Sequence, residues 1–164
     1  MREITIKAYQ YDELNEKAKT KAREWFALVT AGDEFWEFTY DDAENIGIKI
    51  TGFDLYRRTI GGEIITSAPE VIESIMRDHG KDCATYKTAL RYKPAFEALE
   101  GKRDANDETF EDEFESVEGE FIHDILEDYL SLLQEESDYR QSDEYIEEGI
   151  RINEYEFTEE GKRI

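Results

Sequence analysis

The chain has 164 residues, 39% of them hydrophobic and 13% aromatic, with a formal net charge of −22. That length suits one domain, or one with an appendage, and the aromatic content is too high for a disordered acidic tail. A field of that sign repels nucleic acid and acidic membrane surfaces and attracts basic ones, so direct binding to nucleic acid or membrane is disfavoured.

The first predicted element is a half-buried strand over 3–11, where Ile4, Ile6 and Ala8 share a face. Asp12 is placed to cap a helix over 13–29, with Leu14, Ala18, Ala22, Trp25 and Val29 at helical spacing. A second helix over 34–46 brings Phe35, Phe38, Asp42 and Ala43 near one another and stops at Gly47. Two β-rich runs, 48–60 and 63–67, are joined by Gly61-Gly62, which predicts a hairpin with its turn at the glycines. Ser67, Pro69 and Glu70 form a helix-start signature for 68–79, which ends at Gly80. A further helix over 81–100 is expected to break near Pro94, and the polar run 101–107 is the expected internal boundary.

The stretch 107-DETFEDEFESVEGEFIHDILEDY-129 then holds eleven carboxylates and no Lys or Arg. Phe110, Phe114, Val117, Phe121, Ile125, Tyr129 and Leu132 recur every three or four residues, so this is a long helix with an apolar stripe, which Gly119 can bend. A short helix over 143–150 and a terminal strand or hairpin over 152–164 close the chain. The expected fold class is α+β: a small, mostly antiparallel sheet of three to five strands packed with several helices, plus a long acidic C-terminal helix.

Charge divides the chain unevenly. Residues 104–164 carry 23 Asp and Glu against four Lys and Arg, whereas residues 1–103 carry 19 against 16. The expected organisation is a near-neutral body over 1–103 and an acidic helical segment with a terminal strand over 104–164, packed on the body as one domain. The single cysteine, Cys83, excludes an internal disulfide and fits a reducing compartment. The opening MREITIKAYQ lacks the apolar core of a signal peptide, and no run reaches the ~20 apolar residues of a membrane span, so a cytoplasmic location is expected.

Chemistry-bearing motifs are sparse. There is no phosphate-binding loop pattern, and one Cys with two scattered His gives no zinc set. His79 reads as a helix C-terminal cap, His123 as part of a solvated ion pair, and Cys83 as an idle thiol. Residues 104–115 place Asp104, Asn106, Glu108, Asp112 and Glu115 at calcium-loop spacing, but Thr109 stands where the sharp turn needs glycine. Asp41, Asp42, Glu44 and Asp54 read as caps and surface charge. No cofactor, no metal and no catalytic set is expected.

Two stretches carry a resemblance. The first joins 6-IKAYQYDELNEKAKTKAREWF-26 to 36-WEFTYDDAENIGIKITGFDL-55, and the second is 149-GIRINEYEFTEEGKRI-164. Together they resemble a recurrent group of small acidic bacteriophage and prophage proteins, some labelled antitoxins of toxin–antitoxin systems. In charge and size alone the chain is similar to DNA-mimic antirestriction proteins. The resemblance implies a phage protein acting in the host cytoplasm.

With the apolar stripe docked, Glu111, Asp112, Glu115, Glu118, Asp124, Glu127 and Asp128 are expected to project outward, with Glu135 and Glu136 continuing the surface. The density is roughly one charge per 3 Å of helix axis, against a phosphate about every 3.4 Å along one strand of B-form DNA. The expected function is therefore an anti-defence DNA or RNA mimic. It would block the nucleic-acid surface of a basic host protein such as a restriction enzyme or CRISPR complex. The alternative is an antitoxin-like or adaptor module whose specificity lies in an apolar groove or in exposed Trp25, Trp36 and Tyr residues, with charge secondary. The stripe could instead form a two-fold homodimer interface.

Overall fold

The computed structural model describes residues 1–164. The fold is α+β, with six α-helices and two antiparallel sheets of two strands each, rather than one sheet of three to five strands. The chain forms two compact units. One comprises Met1–Phe35 with Glu135–Ile164, the other Trp36–Gln134. The division by contact thus does not follow the division by charge.

In the smaller unit, β1 (Tyr9–Gln10) pairs with β4 (Glu156–Phe157), Tyr9 opposite Phe157. The strand expected over 3–11 is therefore only two residues long. Its partner runs out first: the chain turns at Thr158–Lys162, where Thr158 N–H donates to the Lys162 carbonyl across 2.8 Å. Ile4 and Ile6 are 82% and 58% exposed. A 3₁₀ turn, Tyr11–Glu13, leads into α1 (Glu16–Thr30). The cap of α1 is Asn15, not Asp12: Ala18 N–H donates to Asn15 Oδ1 across 3.0 Å. The intervening 3₁₀ turn delays the helix start, and Asp12 instead takes a forked bond from Arg151, with Nε and a terminal nitrogen at 3.0 and 2.9 Å from Oδ1.

Leu14, Ala18, Ala22 and Phe26 form the buried face of this region, packed with Ile146 and Ile150 of α6 (Asp143–Ile152) and with Phe157. Val29, expected on that face, is exposed. Trp25 lies edge-on to Tyr155 and Phe157, with ring centroids 5.0 and 5.8 Å away. Ser142 caps α6, accepting from Tyr145 N–H.

The larger unit begins with α2 (Glu37–Asn45), which stops at Gly47 with φ +93°. The hairpin of β2 (Ile48–Asp54) and β3 (Thr59–Ile64) follows. Its turn is not at Gly61-Gly62. It lies over 55–58, where Asp54 Oδ1 accepts from Arg57 N–H and Arg58 takes a left-handed conformation. The glycines sit inside β3, opposite Gly52 and Ile50. A Cβ on Gly62 would lie 2.8 Å from Leu126 Cδ2 and 2.9 Å from the Lys49 carbonyl. The missing side chain is what lets the strand lie against a helix.

Ser67 caps α3 (Ala68–Asp78), its hydroxyl oxygen accepting from Glu70 N–H as the capping pattern predicts, and the hydroxyl also donates to the Glu70 carboxylate. Next comes α4 (Ala84–Asp104), which continues through Pro94 and absorbs the start of the expected polar boundary. The carbonyl freed by Pro94 belongs to Leu90, which faces solvent, so water can satisfy it.

The long helix α5 runs Phe110–Arg140 without a break at Gly119. Its residues 110–134 belong to the larger unit and 135–140 to the smaller. Phe121, Ile125, Leu126 and Tyr129 join Ile46, Ile48, Val71, Ile75, Phe96 and Leu99 in one core, with Phe110, Phe114 and Val117 packed on its edge. The apolar stripe therefore faces the chain's own core and is not free for a two-fold interface. Leu132 is exposed, and Leu133 takes the buried position. No helix is long and apolar enough to cross a membrane.

Candidate functional site

Because its apolar side is buried, α5 has one side fixed and the other presented. Glu111, Glu115 and Glu118 stand at i, i+4 and i+7 along one flank of the stripe, Glu118 one turn beyond Phe114, with Asp112 farther round towards solvent. Glu111, Asp112 and Glu115 are exposed and Glu118 is half-buried. None of the four forms an ion pair, although Glu113 among them is held by Lys102, with Nζ 2.6 Å from Oε2. That pair, with the Lys102 ammonium as the main cause, keeps the Glu113 carboxyl below its ordinary range.

The next carboxylates behave differently. Asp124 accepts from Arg91 across 2.6 Å and from the Tyr92 hydroxyl across 2.7 Å. Asp128 accepts from Thr88 Oγ1 across 2.6 Å. Burial raises the Asp128 carboxyl above its usual range, and the Thr88 hydrogen bond acts against that rise. These two acids brace α5 against α4 instead of projecting from it. A stripe drawn on an isolated helix cannot show this, because α4 covers positions 124 and 128 from the side. Glu127, half-buried, forms no ion pair. Glu135 and Glu136 lie in the smaller unit, the first exposed and the second half-buried. The expected acidic surface thus reduces, on the larger unit, to Glu111, Asp112, Glu115 and Glu118, with Glu127 beyond them.

A second cluster escaped the sequence reading. His79 Nδ1 is 2.6 Å from Thr85 Oγ1, and its Nε2 is 3.4 Å from Asp42 Oδ2. The Tyr129 hydroxyl donates to the same Asp42 oxygen across 2.9 Å. The His79 ring, then the Tyr129 hydroxyl, hold the Asp42 carboxyl below the usual range against the burial that would raise it. His79 is the C-cap of α3, as its place before Gly80 predicts, but its ring is turned inward, and Asp42 is engaged by His79 and by Tyr129 of α5. The sequence reading took Asp42 for a cap or surface charge, and nothing local marks the contact with Tyr129, which spans 87 residues. Cys83 is exposed at the start of α4. No three His, Cys, Asp or Glu side chains converge as metal ligands would, and residues 110–115 of the calcium-like stretch are helical.

Aromatic exposure is also redistributed. Trp25 and Trp36 are both partly covered, Trp36 edge-on to Phe53 with centroids 5.9 Å apart. The most exposed aromatics are Phe38 on α2, 87% exposed, and Tyr56 at the hairpin tip, 97% exposed beside Arg57 and Arg58. In the smaller unit a groove of about 470 Å³ is lined by Ala27, Thr30, Phe35 and Arg140, and Arg140 is already bonded to Asp33 across 3.0 Å. Comparison with protein-family models, with curated proteins and with solved structures finds no match to this chain.

Proposed function

We propose that the protein is an acidic nucleic-acid mimic. It would occupy the basic groove of a host nucleic-acid-binding protein through the outer side of α5. The observation that carries this reading is the Glu111–Glu118 array: four carboxylates without cations, along the flank and outer face of a helix whose apolar stripe is anchored in the core. Along the axis they span ~10 Å, so their mean spacing is close to the ~3.4 Å between phosphates of one DNA strand. An anchored helix presents them without the ordering cost that a flexible acidic tail would meet on binding. The resemblance to phage and prophage proteins supports an anti-defence role in the host cytoplasm, with a restriction or CRISPR-type nuclease as the kind of target. No catalytic chemistry enters this reading.

The adaptor alternative has its own observation, the exposed Phe38 and Tyr56, which lie away from the acidic array in sequence. One experiment separates the two. Labelled duplex DNA is bound to each of a panel of host nucleases and the protein is titrated in at low and high salt. Mimicry gives displacement that weakens steeply with salt and is lost in the E111Q/D112N/E115Q/E118Q variant, with an unchanged circular dichroism spectrum. Displacement that ignores salt and the four substitutions but is abolished by F38A or Y56A makes the protein an aromatic-reading adaptor instead.

A further inference from the structure

Residues 1–8 lie outside any helix or strand, are exposed along their whole length, and make no hydrogen bond or ion pair. Their alternation of Ile4, Ile6 and Ala8 with Glu3, Thr5 and Lys7 is that of a strand with one apolar face. The chain has no strand for them, because β4 turns away after Phe157. We propose that this segment is a self-pairing strand, and that Arg2–Ala8 of two copies join antiparallel about a two-fold axis at Thr5.

The register follows from the residues. About Thr5, Ile4 of each copy lies opposite Ile6 of the other, and Glu3 lies opposite Lys7. Both apolar pairs and both opposite-charge pairs are satisfied at once, on the correct faces. Slipping by one residue puts isoleucine opposite the polar face. Slipping by two leaves a single like-for-like isoleucine pair and separates Glu3 from Lys7. Cross-strand pairs of these two kinds are the ones that stabilise antiparallel ribbons.

Charge favours the same occupant. A second copy carries −22 and is repelled by most of this molecule's surface. Residues 1–8 hold Arg2 and Lys7 against Glu3 alone, so the two chains meet where neither is negative. An isolated two-stranded ribbon is marginal in water, but here each strand continues into β1, already paired with β4. The product is four strands in the order β4, β1 and their two-fold mates. Seven residues a side is a small interface, so the dimer belongs in the micromolar range rather than the nanomolar.

Sedimentation equilibrium of the full chain over about 5 to 500 μM, a range set by that interface size, tests this. The expected result is conversion from 19.3 kDa to twice that mass. E3K and K7E should each weaken the dimer about tenfold by placing like charges opposite one another, and the E3K/K7E double variant should restore it. In a C83S background, T5C should oxidise to a covalent dimer, because Thr5 faces itself across the axis. Residues 1–8 hold no core contact, so the variants should share the wild-type melting curve, which checks the fold directly. A monomer throughout the range overturns the proposal, as does a dimer indifferent to E3K and K7E or one that the double variant fails to restore.

Discussion

The Tyr129 hydroxyl donates to the Asp42 carboxylate across 2.9 Å, joining the buried middle of α5 to the rim of α2. Burial, and then the neighbouring carboxylate, push the Tyr129 phenol far above its usual range, so it stays protonated and remains a donor. Asp42 is shifted the other way, its folded value lying below the unfolded 3.8. Its contribution to stability is therefore complete above the unfolded value and is lost as pH falls through the lower, folded one. Tyr129→Phe should cost about 1 kcal/mol at neutral pH, at the low end for a charge-assisted bond because Asp42 is half open to water. The gap between variant and wild type should close as pH falls well below 3.8. Urea titrations of both proteins from neutral to acidic pH check it, and a gap constant with pH would detach the bond from the Asp42 charge.

At Gly62 the β2–β3 hairpin comes close against α5. An added methyl meets Leu126, whose side chain can move, and the Lys49 carbonyl, which cannot. Gly62→Ala should therefore cost about 1 to 3 kcal/mol, the range for overpacking. Gly119, where an added Cβ meets nothing within 4 Å, is the control. Gly119→Ala should stabilise by up to about 1 kcal/mol through helix propensity alone. Thermal melts of the two variants should move in opposite directions.

The acidic array opposes the fold as it serves the proposed function. Glu111 and Glu115 stand four apart and Glu115 and Glu118 three apart, and each like-charge pair costs a helix roughly 0.2–0.5 kcal/mol. Glu111 and Asp112 recover part of this from the helix N-terminus, whereas Glu115 and Glu118 lie beyond the first turn. E115Q/E118Q should thus raise the melting temperature at low salt by a few degrees, with the gain shrinking as salt is added. A melting temperature that falls, or a gain that salt leaves unchanged, would mean that these carboxylates have cationic partners.

Helix positions were readable because burial imposes a 3.6-residue period. The stripe Phe110, Phe114, Phe121, Ile125 and Tyr129 faces the core as its spacing predicts, and Ser67 with Glu70 marks the start of α3. What failed was whatever depends on a partner remote in sequence. Ile4 and Ile6 alternate like a buried strand, but strand burial needs a neighbour and β4 is two residues long. Gly61-Gly62 looks like a turn because glycine permits turns, yet here it permits close packing by Leu126, 64 positions beyond Gly62. Asp12 and Asn15 both suit a helix cap, and Arg151 decides between them by taking Asp12. The acidic array was legible as charge. The removal of Asp124 and Asp128 from it was not, because Arg91, Tyr92 and Thr88 approach from another helix.

The smaller unit is built from the two ends of the chain, with Trp36–Gln134 between them. On a ribosome, the larger unit is complete in sequence before Glu135 has been made. Met1–Phe35 must wait, because Ala22 and Phe26 find Ile146 and Ile150 only when the last thirty residues emerge. Closing a loop of about a hundred residues costs only a few kcal/mol of entropy once its interior is folded, but it slows the step. Folding should therefore proceed from the middle outward, with the aromatic cluster around Trp25 the last part of the protein to assemble.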